Sequence, residues 1–116
     1  MVDKRILVVE DDPLMQETLA RILRDQRYAV ELAIGVADAE RRLAAERYDL
    51  VIADWKLPDG DGSLVADWAK QLGAKTALMS GHLAQMPGGR SEEHETLMKP
   101  IRMDELLALV RRSLGE

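Results

Sequence analysis

The stretch Ile6-Leu7-Val8-Val9-Glu10-Asp11-Asp12-Pro13 sets four consecutive apolar residues against three acids and a proline. A short unbroken apolar run bounded by charge is the pattern of a strand buried on both faces. Asp12-Pro13 then reads as a helix start. An aspartate can accept from first-turn amides, and proline suits the first helical position because no partner is needed for its nitrogen. Met15, Leu19, Ile22 and Leu23 follow at helical spacing. A buried strand that turns at once into an amphipathic helix predicts an α/β chain, with the acids left at the strand's carboxyl end.

The same alternation continues outward from this stretch. Residues 28–33 read as a second strand. Val36, Ala39, Leu43 and Ala44 recur at three and four along a helix over 36–47. Its acids, Asp38 and Glu40, come early and Arg41, Arg42 and Arg47 late, which suits the helix dipole. Leu50-Val51-Ile52-Ala53 repeats the buried-strand pattern and ends at Asp54, before the turn-rich Leu57-Pro58-Asp59-Gly60-Asp61-Gly62. A third helix is expected over 63–72, with Leu64, Val65, Trp68 and Leu72 on one face and Gly73 as its stop. Strands over 76–80 and Glu95–Met98 and a helix over 102–114, carrying Met103, Leu106, Leu107, Val110 and Leu114, complete the series. The expected fold is therefore α/β: a flavodoxin-like, doubly wound, five-stranded parallel sheet of order 2-1-3-4-5, with helices on both faces. The connection over 82–93 holds Pro87-Gly88-Gly89. Gly costs about 1 and Pro about 3 kcal/mol inside a helix relative to Ala. A short or irregular fourth helix is expected there, in a mobile segment that orders when the functional site is modified or a partner binds.

Composition narrows the function. A chain of 116 residues, 47% apolar and 32% charged, suits one domain over 1–116 with a single layered core. There is no cysteine, so disulfides and thiolate metal sites are excluded. No apolar run is long enough for a membrane helix and the N-terminus lacks the zones of a signal peptide, so a cytoplasmic protein without membrane insertion is expected. The formal net charge is −5 and the basic residues are scattered, against direct nucleic-acid binding.

In this strand order, ligands gather outside the carboxyl ends of the strands, beside strand one. Glu10-Asp11-Asp12 ends strand one, Asp54 strand three, Ser80 strand four, and Lys99 strand five. Strands one and three are neighbours, which brings Asp11 toward Asp54. Adjacent carboxylates repel unless a cation intervenes, and hard oxygen ligands without His or Cys suit Mg²⁺. A hydroxyl from Ser80 and an ammonium from Lys99 complete a pocket for a tetrahedral anion. A carboxylate there can attack phosphorus and form an aspartyl phosphate, a transfer that depends on positioning and charge neutralisation.

Four pieces in order, Ile6 to Asp12, Asp54 to Gly62, Met79-Ser80-Gly81 and Met98-Lys99-Pro100, resemble the response-regulator receiver family of two-component signalling, end to end. The resemblance implies that Asp54 is the phosphoacceptor and Lys99 the phosphate-binding lysine, joined to its proline by a cis bond. Ser80 would be the hydroxyl that moves toward the phosphoryl group. Asp11, Asp54 and the backbone oxygen of Lys56 would hold Mg²⁺, with Glu10 acting through water, and Pro58 and Gly62 match the turn. A sensor histidine kinase or phosphotransfer protein would donate the group, and an unknown downstream protein would read the switched form, with homodimers a further option. Such a domain is not an enzyme beyond its own phosphorylation and dephosphorylation. Thr96 stands where the family usually has the aromatic half of its switch, which puts that readout in doubt. The rivals are a phosphorylation-independent interaction module of the same fold and a hydrolase working through an aspartyl phosphate. The hydrolase lacks an obvious acid/base residue or substrate cap.

Simpler readings stand beside several residues. Asp12 is a helix cap or a metal contact, and Lys56 a surface lysine or a neighbour of the acyl phosphate. His82 and His94 are expected on the surface, without metal-site company. Trp55 is expected to pack beside the acceptor loop, and Trp68, Met15 and Met103 to be core or partial core.

Overall fold

The structure, a computed structural model, describes residues 3–81 and 93–116. Except for Glu93, the segment 82–93, with its expected irregularity and mobility and with His82, lies outside the described residues. Five parallel strands form the main sheet: β1 Arg5–Val9, β2 Ala29–Ala33, β3 Leu50–Asp54, β4 Lys75–Ser80 and β5 Glu95–Met98. Their order is β2-β1-β3-β4-β5, as the alternation predicts. The helices are α1 Pro13–Asp25, α2 Val36–Ala45, α3 Gly62–Gln71 and α4 Met103–Leu114. A separate two-residue antiparallel hairpin pairs Lys56–Leu57 with Gly60–Asp61.

The unbroken apolar runs are explained by a sheet covered on both faces. Successive side chains of a strand point to opposite sides, so each run is divided between two cores. Leu7, Val9, Val51 and Ala53 enter one cluster with Ala39 and Leu43 of α2 and Val65, Ala66 and Ala69 of α3. Ile6, Val8, Leu50 and Ile52 enter the other with Leu19 and Leu23 of α1 and Leu106, Leu109 and Val110 of α4. Two of the three inner strands, β1 and β3, are fully buried from Ile6 to Val9 and from Leu50 to Ala53. Truncating one such residue, Ile52 for example, would cost about 2–5 kcal/mol.

Three sequence expectations about packing need correction. The inward face of α3 is made by Ser63, Val65, Ala66 and Ala69, whereas Leu64 and Leu72 are exposed and Trp68 is half-buried. Small residues face inward because α3 starts hard against the acceptor strand: a Cβ at Gly62 would lie 1.8 Å from the Asp54 carbonyl oxygen. Met103 is exposed, since it lies in the first turn of α4 before the helix meets the sheet, and Ala44 is exposed on α2. Met15 and Trp68 pack at the margins of the two clusters, as expected for partial core.

Candidate functional site

The site is built where strands end. Asp12 caps α1, its side chain accepting from the Met15 amide at 3.3 Å; this is the cap reading of that residue. The preceding Glu10 is held in place by three contacts. Its backbone amide donates to the Ala33 carbonyl at 3.0 Å, its Oε1 accepts from the Asp12 amide at 3.2 Å, and its carbonyl accepts from the Gln16 side chain. At the end of β3, the Trp55 amide donates to the Met79 carbonyl at 2.8 Å and the Gly62 amide to the Trp55 carbonyl at 2.7 Å, which closes the acceptor loop. The Lys56 amide lies 3.4 Å from Asp54 Oδ1, at the long limit of a hydrogen bond.

Lys99 joins the two acidic strands. Its Nζ donates to Asp54 Oδ2 at 2.8 Å and to Glu10 Oε2 at 3.2 Å. Its backbone amide donates to the Ser80 carbonyl at 2.9 Å, and the Lys99-Pro100 bond is cis. Glu10 and Asp54 are buried, at 2% and 7% exposure, while Asp11 is exposed and open to a ligand from solvent. Burial, and then the charge of Asp54, push the Glu10 carboxyl above the usual carboxylate range. Burial alone would lower the Lys99 ammonium. The hydrogen bond to Asp54 and the charges of Asp54 and Glu10 outweigh that effect and hold it above the usual lysine value.

The charges therefore do not balance: two buried carboxylates share one ammonium, and a third carboxylate is close by. One oxygen from each of Glu10, Asp11 and Asp54 lies within 4.8 Å of the others. Opposite ligands of a six-coordinate Mg²⁺ stand about 4 Å apart, so this set of hard oxygens fits that ion in size and chemistry. Electrostatics point the same way, because a divalent cation would offset the repulsion that raises Glu10.

The structure brings Glu10, Asp11, Asp54 and Lys99 together as anticipated. Ser80 is buried at the end of β4 beside them. Thr96 is half-buried on β5, opposite Leu78 in the pairing register. Trp55 is half-buried against the core, with the Lys56 ammonium 5.4 Å from its ring centre. Pro58 is exposed at the hairpin tip.

His94 departs from expectation. It is buried, not on the surface, and links three elements: its Nδ1 shares a hydrogen bond of 2.6 Å with Thr76 Oγ1, and its Nε2 one of 2.8 Å with Asp67 Oδ1. Glu93 lies close enough to form a His-carboxylate cluster with this pair, so the expected lack of metal-site company is also corrected. Neighbouring Glu93 and Glu95 make the local sequence look like a solvated edge, and nothing in it points to Thr76 or Asp67. The contact of Asp59 with α2, described below, was equally hidden from sequence reasoning.

Comparison with known proteins agrees with this geometry. The response regulator receiver domain family matches residues 6–111. The transcriptional regulatory protein PmrA of Pectobacterium parmentieri is 40% identical over 123 aligned positions, which cover 96% of this chain and 54% of PmrA. The transcriptional regulatory protein DltR of Streptococcus agalactiae is 31% identical over 112 positions, covering 92% of this chain and 50% of DltR. The chain thus spans about half the length of these regulators. Among solved structures, a CheY-like receiver domain protein from Methanospirillum hungatei superposes with a TM-score of 0.91 at 28% identity, over 98% of this chain and 95% of that one. The response regulator protein TrrA of Thermotoga maritima, solved in complex with Mg²⁺-BeF, superposes with a TM-score of 0.86 at 31% identity, over 96% and 99% of the respective chains.

Proposed function

Because the chain belongs to the response regulator receiver domain family, we propose that Asp54 is its phosphoacceptor, in a Mg²⁺-dependent transfer assisted by Lys99 and Ser80. The observation that carries this reading is the 2.8 Å contact of Lys99 Nζ with the buried Asp54 carboxylate, beside the oxygens of Glu10 and Asp11. Asp11, Asp54 and the Lys56 backbone oxygen would hold Mg²⁺, and Glu10 would reach it through water. Bound there, the ion would neutralise charge on the transferring phosphoryl oxygens.

The protein's own groups then have distinct tasks. A carboxylate oxygen of Asp54 attacks phosphorus, the bond from phosphorus to the donor breaks, and the donor leaves with the electron pair. Lys99 neutralises charge on the arriving group, and the Ser80 hydroxyl donates to a phosphoryl oxygen. The donor is a sensor histidine kinase or a phosphotransfer protein. The domain spans residues 1–116, acts in the cytoplasm, and catalyses only its own phosphorylation and dephosphorylation. Its modified form binds a downstream protein, or a second copy of the chain, with altered affinity. The phosphoryl group and the ion can shift the switch only by their differential affinity for its two states. Ser80 belongs to that switch, with Thr96 in place of the usual aromatic.

Intact mass after incubation with Mg²⁺ and acetyl phosphate tests the reading, beside an Asp54→Asn control. One phosphoryl adduct is expected that requires Mg²⁺ and is absent from the control. If folded protein acquires no adduct from acetyl phosphate or from a kinase, the phosphorylation-independent interaction module takes its place.

A further inference from the structure

The first turn of α2 has no capping side chain of its own. Its N-cap is Gly35, and the amides of Val36 and Ala37 need acceptors from elsewhere. Asp59 supplies them from more than twenty residues downstream. Its Oδ1 accepts from the Val36 amide at 2.7 Å and its Oδ2 from the Ala37 amide at 3.0 Å. Asp38 accepts from the Ile34 amide at 3.0 Å and completes the start of the helix.

Gly35 is fitted to this contact. A Cβ there would lie 2.6 Å from Asp59 Oδ1 and 3.1 Å from its Cγ. The backbone at Gly35 is extended, with φ −178°, a conformation open to any residue. Space for the Asp59 carboxylate, and no backbone strain, is what calls for glycine. Asp59 sits at the tip of the hairpin whose first strand carries Lys56, five residues beyond Asp54. The other anchors of this loop are the Gly62 amide on the Trp55 carbonyl and Asp61 capping α3 through the Ser63 amide at 2.8 Å. Among the described residues, Asp59 supplies the hydrogen bonds between the tip and α2, while Gly60 lies against the Val36 side chain and Leu57 is buried in the cluster that includes Ala39 and Leu43.

We propose that Asp59 is a positioning residue of the acceptor site: by gripping the first turn of α2 it holds the hairpin that presents the Lys56 carbonyl beside Asp54. This rests on the phosphoacceptor reading above. An ordinary helix cap would stabilise α2 and leave the site unaffected, whereas a cross-loop anchor alters the site when released.

The test uses Mg²⁺ alone as the probe, followed by Trp55 fluorescence, with circular dichroism as the check on folding. Wild-type protein should respond saturably, and Asp11→Asn should abolish the response. Without any wild-type response the phosphoacceptor reading itself fails, before a variant is compared. With it, Asp59→Ala should bind Mg²⁺ about fivefold more weakly, the loss of about one net hydrogen bond's worth of positioning, and amide exchange at Val36 and Ala37 should quicken. Gly35→Ser combined with Asp59→Ala gives α2 a local cap in the space the carboxylate vacates. The double variant should remain weak in Mg²⁺ binding. Wild-type affinity in either Asp59→Ala or the double variant would overturn the proposal. If Asp59→Ala does not fold, Asp59→Asn, which keeps one acceptor oxygen, should show a smaller weakening in the same direction, and unchanged affinity there would overturn it equally.

Discussion

The two ends of the parallel sheet each set a basic side chain against carboxylates, a half-buried Lys99 at one and a buried His94 at the other. At the carboxyl ends of the strands, Lys99 faces both Glu10 and Asp54 with Asp11 close by, and negative charge exceeds what one ammonium can neutralise. At the amino ends of β4 and β5, His94 bonds Thr76 on one side and Asp67 on the other. Both ring nitrogens of His94 are thereby hydrogen-bonded, and Glu93 stands at the exposed edge of the cluster. An uncompensated charge calls for a ligand, whereas a satisfied buried network only specifies how elements pack. Both clusters look alike by residue type, and they differ in the balance of donors, acceptors and charge around the basic group.

The largest effect should come from breaking the charged end. On the phosphoacceptor reading proposed above, Lys99→Ala removes the cation that would face the incoming phosphoryl group, and should slow adduct formation from acetyl phosphate about a hundredfold. A rate within a factor of two of wild type, read by mass against time, would show that Mg²⁺ alone carries the neutralisation.

His94→Leu is the matching change at the other end. It leaves a buried hydroxyl to find a new partner and should cost about 2 kcal/mol in thermal or urea unfolding, while Mg²⁺-dependent phosphorylation stays intact. Loss of phosphorylation in folded protein would mean that the two ends are coupled.

A smaller effect concerns pH. Burial and the Asp54 charge raise Glu10, so the folded protein holds that proton to higher pH than the unfolded chain does. Metal-free stability should therefore fall as pH rises from the ordinary glutamate range through the raised value. Glu10→Gln should flatten this slope in urea titrations at a series of pH values. Asp59 bears the opposite sign. Hydrogen bonds from the Ala37 and Val36 amides lower it, so its contribution is present above the ordinary aspartate range and fades as pH falls through the lowered value.

The smallest effect is expected from Arg112→Ala. Arg112 pairs with Glu95 at 3.1 Å near the His94 end, but both side chains are roughly half exposed. Solvent and salt screen such a pair, and the loss should stay below about 1 kcal/mol in the same unfolding assay.

Much of this molecule is legible in local pattern. Four apolar residues in a row between charges leave no polar face, so Ile6 to Val9 and Leu50 to Ala53 had to be strands covered on both sides. The acids and the lysine that follow such runs fall at strand ends by chain order alone, which is why Asp54 and Lys99 could be named before their 2.8 Å contact was seen. Side-chain size misled where backbone approach was close. Leu64 and Leu72 looked like the core of α3, but Gly62 against the Asp54 carbonyl leaves room mainly for Val65, Ala66 and Ala69.

The amino-acid sequence by itself determined the order of elements, the doubly covered sheet and the inventory of groups at its carboxyl end, because periodicity and strand termini are properties of neighbours along the chain. Tertiary structure alone decided that Asp59 grips α2, that His94 lies between Thr76 and Asp67, and that Glu10 shares Lys99 with Asp54. Those contacts join residues far apart in the chain. Their partners are selected by which side chains packing leaves within hydrogen-bonding distance, and no local period records that.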